Sequence, residues 1–282
     1  MSINLITYQM TGNRYNFGEY LAKRIVESLG YTVNVYGNIY PLTSKTSSVL
    51  LSIGGLLNND YCLELSKLSD KIYVWGSGLE CQFSKHFLLP PDVVKDKIVL
   101  CMLRGELTRQ AYGFSDDILI GDPGYLASML FPVKNKTDEI LQVPFYYDQV
   151  THTPVDVLPG VTKCIGSLLG ERSESVQQDF DLLLQSIGSS KFVLTGSMHA
   201  AIVAHSYSVP WAIIKKSTCD IETEWKWKDT FSAIGLDAGD VKAVSSLEEG
   251  EAWYNSVKNK IKMVTKDYQN EILDAFPKEV NE

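Results

Sequence analysis

Short apolar runs alternate with longer stretches that are apolar on one side only, along most of the chain. The runs are typical of buried parallel strands, and the stretches are typical of amphipathic helices. The first pair is a strand at Ile3–Tyr8 and a helix at Gly18–Leu29. Further strands are predicted at Tyr31–Tyr36, Val49–Ile53, Lys71–Trp75, Ile98–Leu103 and Ile118–Ile120, and further helices at Asp60–Leu68, after Gly105 and at Pro123–Leu130.

The same alternation restarts after the polar segment Val133–Glu139. It predicts an α/β protein with two Rossmann-like lobes, residues 1–135 and 136–282, each a parallel sheet covered by helices. The tail, Leu247–Phe276, is predicted to be mostly helical and is a candidate to cross back to the first lobe. In the second lobe, strands are predicted at Ile140–Phe145, Val161–Ile165, Phe192–Leu194 and Trp211–Ile214, and helices at Ser173–Ile187 and Met198–Tyr207.

Composition narrows the class of protein. The 282 residues include 26 basic and 34 acidic side chains, a net charge of −8, which argues against nucleic acid as the main partner. The five cysteines are scattered without a CxxC pair, as is typical of reduced thiols. No signal peptide precedes the first strand, and no apolar stretch reaches the ~20 residues of a membrane span. We therefore expect a soluble, cytoplasmic protein.

The segment Lys191–Ile202 is the most informative one. An apolar strand, Phe192–Leu194, is followed by a tight turn and by a helix that begins at Met198, with His199 in its first turn. Ligands bind at the carboxyl ends of strands in open α/β folds, and helix N-termini favour anions. Histidine titrates near neutral pH and can transfer protons. A polar residue that lies near a helix cap without further function is the alternative.

Two loops of the first lobe follow predicted strands and could reach the same edge of the sheet. In the loop Thr11–Glu19, two glycines allow close approach of the backbone to a ligand. Glu19 is then either a helix-capping acid or a group of the site. In the other loop, Gly76, Ser77 and Gly78 could present backbone N–H groups to an anion or a sugar hydroxyl, although many strand–helix turns look similar.

A third loop, Leu103–Arg109, carries two arginines about one helical turn apart. Arg104 and Arg109 could clamp a phosphate or carboxylate, and the alternative is a surface pair with Glu106. Asp122 lies at another strand end, where it is either a helix N-cap or a catalytic carboxylate.

Metal and nucleotide signatures are missing from the sequence. The four histidines and five cysteines show no metal-ligand spacing, so no metal is predicted. The chain has neither a GxGxxG fingerprint after the first strand nor a GxSxG or Walker A motif, so no nicotinamide cofactor is predicted. His205 lies six residues after His199, on another face of the same helix, and is expected to be a packing or surface residue.

A set of short motifs between Asn16 and Gly235 is more specific than any one of them. The motifs are Asn16-Phe-Gly-Glu-Tyr-Leu21, Trp75-Gly-Ser-Gly78, Leu103-Arg-Gly-Glu-Leu-Thr-Arg109, Gly121-Asp-Pro-Gly124 and Ser197-Met-His-Ala-Ala-Ile202 leading to Val209-Pro-Trp211. With these motifs in this order, the chain resembles the polysaccharide pyruvyl transferase family.

The resemblance implies a two-lobed fold similar to that of GT-B glycosyltransferases, with a cleft between an acceptor lobe and a donor lobe. It also implies the use of phosphoenolpyruvate as co-substrate, with no cofactor. The enzyme would join the enolpyruvyl carbon unit to two hydroxyls of a sugar as a pyruvate ketal, in the biosynthesis of cell-surface polysaccharide.

The resemblance also implies roles for residues. His199 would donate a proton or contact the donor's phosphate, and Glu19 or Asp122 would orient or deprotonate the acceptor hydroxyl. Many members carry Asp at the position of Glu19 and Arg at that of Ser197, so this chain needs another cation for the donor. Lys215, Lys216, Lys226 and Lys228 are candidates for that cation, or surface residues. The predicted binding residues are Asn16, Gly76, Ser77, Gly78, Arg104, Arg109, Ser197, Met198 and Lys226.

Two other classes of protein stay open at this point, because a fold alone does not determine function. One is a nucleotide-sugar glycosyltransferase, and the other is a non-catalytic glycan-binding protein. The expected partners are phosphoenolpyruvate and a sugar, oligosaccharide or carrier-linked glycan, without nucleic acid. A lipid-linked acceptor would bring the protein to a membrane surface.

Overall fold

The computed structural model of the chain is a mixed α/β structure with parallel sheets, as the alternation predicts. It describes residues 1–8, 14–37, 41–80, 88–152, 154–170, 175–214 and 221–280, without the side chains of residues 221–224. No helix in these ranges is long and apolar enough to cross a membrane.

Two five-stranded sheets organise the described residues, and all strand pairs within them are parallel. The first has the order β3-β1-β4-β5-β6, from β1 (Ser2–Ile6), β3 (Thr32–Tyr36), β4 (Thr46–Leu51), β5 (Ser69–Trp75) and β6 (Ile98–Met102). The second has the order β12-β11-β10-β7-β8, from β7 (Ile140–Val143), β8 (Lys163–Cys164), β10 (Phe192–Thr195), β11 (Trp211–Ile214) and β12 (Ala243–Val244). The short strands β2 (Tyr15–Asn16) and β9 (Leu168–Leu169) pair antiparallel.

Helices connect the strands and cover the sheets. Strands β7, β10 and β11 are buried at every position, as expected for parallel strands covered on both faces. The helices are α1 (Phe17–Ser28), α2 (Asn59–Leu68), α3 (Pro91–Lys97), α4 (Glu106–Tyr112), α5 (Ala127–Leu130), α6 (Tyr146–Val150), α7 (Val176–Ser189), α8 (Met198–Ser206), α9 (Ile221–Ser232), α10 (Leu247–Val257) and α11 (Lys266–Asp274), with a 3₁₀ helix at Pro123–Leu126.

The hydrophobic core is continuous between the two halves of the chain. Phe17 and Tyr20 of α1 pack their rings against Phe180 of α7, with centroids 5.5 and 5.3 Å apart. A second, smaller core covers the other face of the first sheet and includes Val49 and Val74. Helix α1 contacts both α7 and α8, and residues of all three helices belong to the same core.

The C-terminal helix α11 packs against the first half of the chain, to which the tail Leu247–Phe276 was a candidate to return. The indole N–H of Trp75 donates to the carbonyl of Ile272 at 2.9 Å. The hydroxyl of Tyr268 donates to the carbonyl of Ile120, also at 2.9 Å. The division at residue 135 and the GT-B-like arrangement stay predictions.

Some predicted elements differ in the structure. Ile118–Ile120 is not a strand, because it pairs with Leu103 through a single bridge before a proline-containing turn. The helix predicted at Pro123–Leu130 begins as a 3₁₀ turn, since Asp122 caps the N–H of Gly124 two residues on. Helix α9 was not predicted, because its tryptophans and lysines alternate without an apolar stripe.

Candidate functional site

A cavity of about 400 Å³ lies where the carboxyl ends of strands from both sheets meet. Segments after β1, β4, β5 and β6 line one side, and segments after β7 and β10 line the other. Helix α9 contributes Lys226 and Trp227. Cavities of ~300–1,000 Å³ typically hold small molecules. The edge at which the sequence predicts ligand binding is therefore the edge that carries a cavity.

His199 enters this cavity from the first turn of α8. Strand β10 ends at Thr195, and Ser197 is the N-cap of the helix, without a side-chain capping bond. The backbone N–H groups of a helix's first turn have no partner within the helix, so they add positive potential to this wall. The His199 side chain is buried, with 9 % of the residue exposed.

Gly18 of α1 makes the space in which the His199 imidazole lies. A Cβ atom at Gly18 would come within 2.1 Å of His199 Nδ1 and 2.5 Å of its Cγ. The ring therefore packs directly on the helix backbone, at a distance that only glycine permits. This contact explains why a glycine stands in the first turn of α1.

Asp122 lies on the other side of the imidazole and is fully buried. Its Oδ1 accepts a hydrogen bond from the Gly124 N–H at 2.7 Å, and its Oδ2 lies 3.5 Å from His199 Nε2. Neither Oδ2 nor Nε2 has a hydrogen-bond partner in the described structure. The N-cap interpretation of Asp122 is thus confirmed for one oxygen, and the other oxygen faces the histidine. A catalytic role for Asp122 stays a prediction.

Glu19 lines the same cavity from α1 and is buried. Burial raises the pKa of its carboxyl well above the usual range, although hydrogen bonds from Asn16 and from the backbone of Tyr8, and the charge of Lys226, act against the shift. Its Oε2 has no partner in the described structure. The helix cap is Asn16, whose Oδ1 accepts from the Glu19 N–H at 3.0 Å. Glu19 is therefore available to a ligand.

Lys226 lines the cavity from α9 and forms an ion pair with Glu80. Burial lowers the pKa of the lysine to about 8, and the nearby Glu19 carboxyl acts in the opposite direction. Ser197 and Met198 line the cavity as well. Lys228 does not line it, and Lys215 and Lys216 lie outside the described residues.

Arg104 borders the cavity but is fully buried and bonded to protein groups. Its Nε and Nη2 donate to Asp229 Oδ2 at 3.0 and 2.8 Å. Its Nη1 donates to the Gly54 carbonyl at 3.3 Å, and Nη2 also donates to the Leu79 carbonyl. Arg104 thus joins α9 to the first sheet. Its predicted contact with an anionic donor would require these bonds to exchange.

Neither Arg109 nor the glycine loop, Gly76 to Gly78, lines the cavity. Arg109 pairs with Glu106 and Asp116, which favours the surface-pair alternative. The N–H groups of Gly76 and Gly78 donate to the carbonyls of Met102 and Gly54, at 2.8 and 3.1 Å, and Ser77 is fully buried. The N–H groups that we expected to face a ligand instead join neighbouring strand ends.

His205 packs inside the protein, in agreement with its predicted position on another face of α8. Its Nε2 lies 3.0 Å from the carbonyl oxygen of Lys262, and burial lowers the pKa of the imidazole. Within the described ranges, no three His, Cys, Asp or Glu side chains are grouped so that they could hold a metal ion.

Aromatic side chains line much of the cavity, and sequence reasoning missed them. Tyr8 follows β1, Tyr61 lies on α2, Phe145 and Tyr146 follow β7, and Trp227 lies on α9. The run Phe145-Tyr-Tyr147 after an apolar strand was the available signal. Because Tyr8 is 45 % exposed, it offers a ring face to a bound molecule at the rim of the cavity.

Comparison with known proteins identifies the family. A family model described as polysaccharide pyruvyl transferase matches residues 16–215. The chain belongs to the polysaccharide pyruvyl transferase family. The segment that matches the pyruvyl transferase model contains Glu19, Asp122 and His199 and ends before Lys226.

Two further similarities were found for this pyruvyl transferase family member. It is 24 % identical over 204 residues to the succinoglycan biosynthesis protein ExoV of Rhizobium meliloti (strain 1021), an alignment that covers 71 % of this chain and 57 % of ExoV. A functionally uncharacterised protein from Klebsiella pneumoniae subsp. pneumoniae NTUH-K2044 has a crystal structure with a TM-score of 0.48 and 13 % identity, over 86 % of this chain and 93 % of that one. The chain thus spans little more than half the length of ExoV.

Proposed function

We propose that this protein transfers the pyruvyl unit of phosphoenolpyruvate onto two hydroxyls of a sugar, forming a ketal during polysaccharide biosynthesis. Family membership and the likeness to a succinoglycan biosynthesis protein support a pyruvyl transferase. The observation that carries the proposal is the pair His199 and Asp122, 3.5 Å apart beside a cavity that is also lined by Glu19, whose buried Oε2 has no partner in the described structure.

The reaction needs one net proton transfer to carbon and one to phosphate. The methylene carbon of the donor takes a proton and becomes a methyl group, while the adjacent carbon gains positive charge and bonds to the first sugar oxygen. The second sugar oxygen then bonds to the same carbon, and the bond between that carbon and the phosphate oxygen breaks. The two hydroxyl protons are thereby balanced by the new methyl hydrogen and by the hydrogen of the released phosphate.

His199 is the proton donor in this proposal. With hydrogen on Nε2, the ring can donate to Asp122 once the 3.5 Å contact shortens, as catalytic contacts commonly do when substrate binds. The Asp122 carboxylate then stabilises the positive charge of the protonated ring and fixes its orientation. Because Asp122 contacts Nε2, the proton that reaches the donor's methylene carbon leaves from Nδ1, the ring nitrogen that lies beside Gly18.

Glu19 orients the acceptor in this proposal. Its Oε2 has no protein partner, so a sugar hydroxyl can bond to it without displacing another group. Because burial raises its pKa, the carboxyl exchanges protons closer to neutral pH than an exposed glutamate does. A general base for a hydroxyl benefits from that shift.

Binding and turnover together test the proposal. Phosphoenolpyruvate should raise the melting temperature of the protein, and UDP-glucose and GDP-mannose should not. With oligosaccharides that end in unsubstituted hexoses, the product mass should equal acceptor plus pyruvate less water, with one phosphate released per product. Stabilisation by a nucleotide sugar and glycosyl transfer would instead make the protein a glycosyltransferase. Binding of glycan alone, without turnover, would make it a glycan-binding protein.

A further inference from the structure

An anionic donor needs a cation in the cavity, and the described lining contains three basic side chains. They are Arg104, His199 and Lys226. Arg104 has no exposed surface and bonds to Asp229 and two carbonyls. His199 faces Asp122. Lys226 differs from the other two in its partner: it pairs with Glu80, whose side chain is 41 % exposed.

Lys226 is also held firmly in place by its helix. Asp229, one turn further along α9, bonds to Arg104 and to the N–H and hydroxyl of Thr108, the last two at 2.8 Å. The Glu106 N–H donates to Ser232 Oγ at 2.8 Å, near the end of the same helix. The lysine backbone is therefore fixed against the first sheet, whereas the carboxylate that it contacts lies at the cavity rim.

Two carboxyls and a helix end surround the lysine's part of the cavity. Glu80 forms the ion pair, and Glu19 interacts with Lys226 electrostatically. Ser197 and Met198, at the N-terminus of α8, line the same space. A phosphate there could bond to the lysine ammonium and to N–H groups of the helix end together.

We infer that Lys226 is the phosphate-binding cation of this site, and that its ion pair with Glu80 is a resting contact which the donor's phosphate replaces. The inference rests on the proposed function, since it assumes a phosphorylated donor. It also explains how a cavity lined by Glu19, Asp60 and Glu80 admits an anion: one basic group becomes available when a rim carboxylate moves away. The lysine is still mainly protonated at pH 7, because its lowered pKa is about 8.

Calorimetric titration of the full chain with phosphoenolpyruvate, and separately with inorganic phosphate, tests the inference. Lys226→Gln should raise both dissociation constants about 10- to 100-fold, the range for losing a charged hydrogen bond. Glu80→Gln should lower both about 2- to 5-fold, because it removes a partly exposed competitor for the lysine. Lys228→Gln, on the same helix but outside the cavity lining, is the matched control and should change neither constant.

The inference predicts weaker binding in Lys226→Gln and tighter binding in Glu80→Gln. An ion pair with a purely structural role would not change the two dissociation constants in opposite directions. Weaker binding in both Lys226→Gln and Glu80→Gln, or unchanged binding in Lys226→Gln with its melting temperature intact, would overturn the inference. If wild-type protein binds phosphoenolpyruvate and only the variant effects fail, the proposed function stands without this role for Lys226. A further outcome is that the wild-type protein binds phosphoenolpyruvate no more tightly than inorganic phosphate, with both depending on Lys226. That result would support the phosphate site and contradict phosphoenolpyruvate as the donor.

Discussion

Two buried charged groups at the junction of the sheets differ in how completely their atoms are bonded. In the first, Asp229 receives hydrogen bonds from Arg104 and from the N–H and hydroxyl of Thr108. In the second, Asp122 Oδ2 and His199 Nε2 face each other at 3.5 Å without another partner. The bonded group joins α9 to the first sheet. In the open group His199 lines the cavity, and Asp122 is buried beside it.

The difference indicates which buried charges are structural and which are available for chemistry. A buried polar atom without a partner costs roughly 1–3 kcal/mol, so a protein keeps one mainly where a ligand or a reaction uses it. Several buried polar atoms of the described residues lack a partner, and those of His199, Asp122 and Glu19 lie at the cavity or beside its histidine. We therefore propose these three residues as the reactive part of the site. Arg104 belongs to the framework that positions α9.

The largest expected effect is on the free energy of unfolding, when the ion pair of Arg104 and Asp229 is broken. Arg104→Met should lower the free energy of unfolding by about 3–5 kcal/mol, because Asp229 is left as an unpaired buried charge. The double variant with Asp229→Leu should recover part of that loss, since no unpaired charge remains. Denaturant unfolding measures both. Weakened donor binding with unchanged stability in the single variant would instead assign Arg104 to the donor.

The next largest effect is expected on turnover, when the contact between His199 and Asp122 is disturbed. Gly18→Ala should reduce kcat about 10²-fold or more, because the new methyl group would displace the His199 ring from Asp122. Helix α1 itself should be stabilised by up to about 1 kcal/mol, since alanine favours helix more than glycine does. Thermal unfolding and steady-state kinetics separate the two effects. Normal turnover of Gly18→Ala would show that catalysis does not depend on the position of the His199 ring beside residue 18.

A smaller effect is expected at Asp122. Asp122→Asn keeps an oxygen that can cap Gly124 but removes the negative charge beside His199. We expect kcat to fall about 10- to 100-fold with little change in donor KM, because the residue positions the histidine and does not bind the donor. A change confined to KM would place Asp122 in donor binding.

The smallest effect concerns the pH dependence of donor binding. The affinity for phosphoenolpyruvate should fall about tenfold between pH 7 and pH 9, because Lys226, with a pKa lowered to about 8, loses its charge in that interval. Phosphate itself completes its second ionisation lower, near pKa ~6. Lys226→Arg stays charged and should flatten the profile. The other titratable groups that line the cavity are Tyr8, Glu19, Asp60, Tyr61, Glu80, Arg104, Tyr146 and His199. A profile that persists in Lys226→Arg would assign the titration to one of them.

The sequence located the edge at which the site forms, because the carboxyl ends of parallel strands converge whatever the details of packing. His199 follows β10 and Glu19 follows the short strand β2, and both line the cavity. Asp122 follows the single bridge at Ile120 and contacts His199. Arg104 also follows a strand, but its partner Asp229 is 125 residues away on a helix whose pattern was not recognisable. A local pattern shows that a charge lies at a strand end and does not show which distant group bonds to it.

The glycine loop illustrates the same limit at the backbone. Gly76 and Gly78 suggested N–H groups for a ligand, but those groups bond to the carbonyls of Met102 and Gly54. A side chain at Gly76 would come within 2.3 Å of Pro123, so this glycine serves packing. Only the three-dimensional structure separates a glycine that admits a ligand from one that admits a neighbouring segment.

In the proposed reaction, His199 supplies the proton that turns the donor's methylene into the product's methyl group. The most direct measurement is turnover in D₂O with phosphoenolpyruvate and a hexose-terminated oligosaccharide, with mass analysis of the product. Wild-type protein should form pyruvylated product with one deuterium in the methyl group. His199→Ala should form it about 10²–10⁴-fold more slowly, and His205→Ala at nearly the wild-type rate per folded molecule. Product formed by His199→Ala at the wild-type rate, or product without deuterium in the methyl group, would contradict the account.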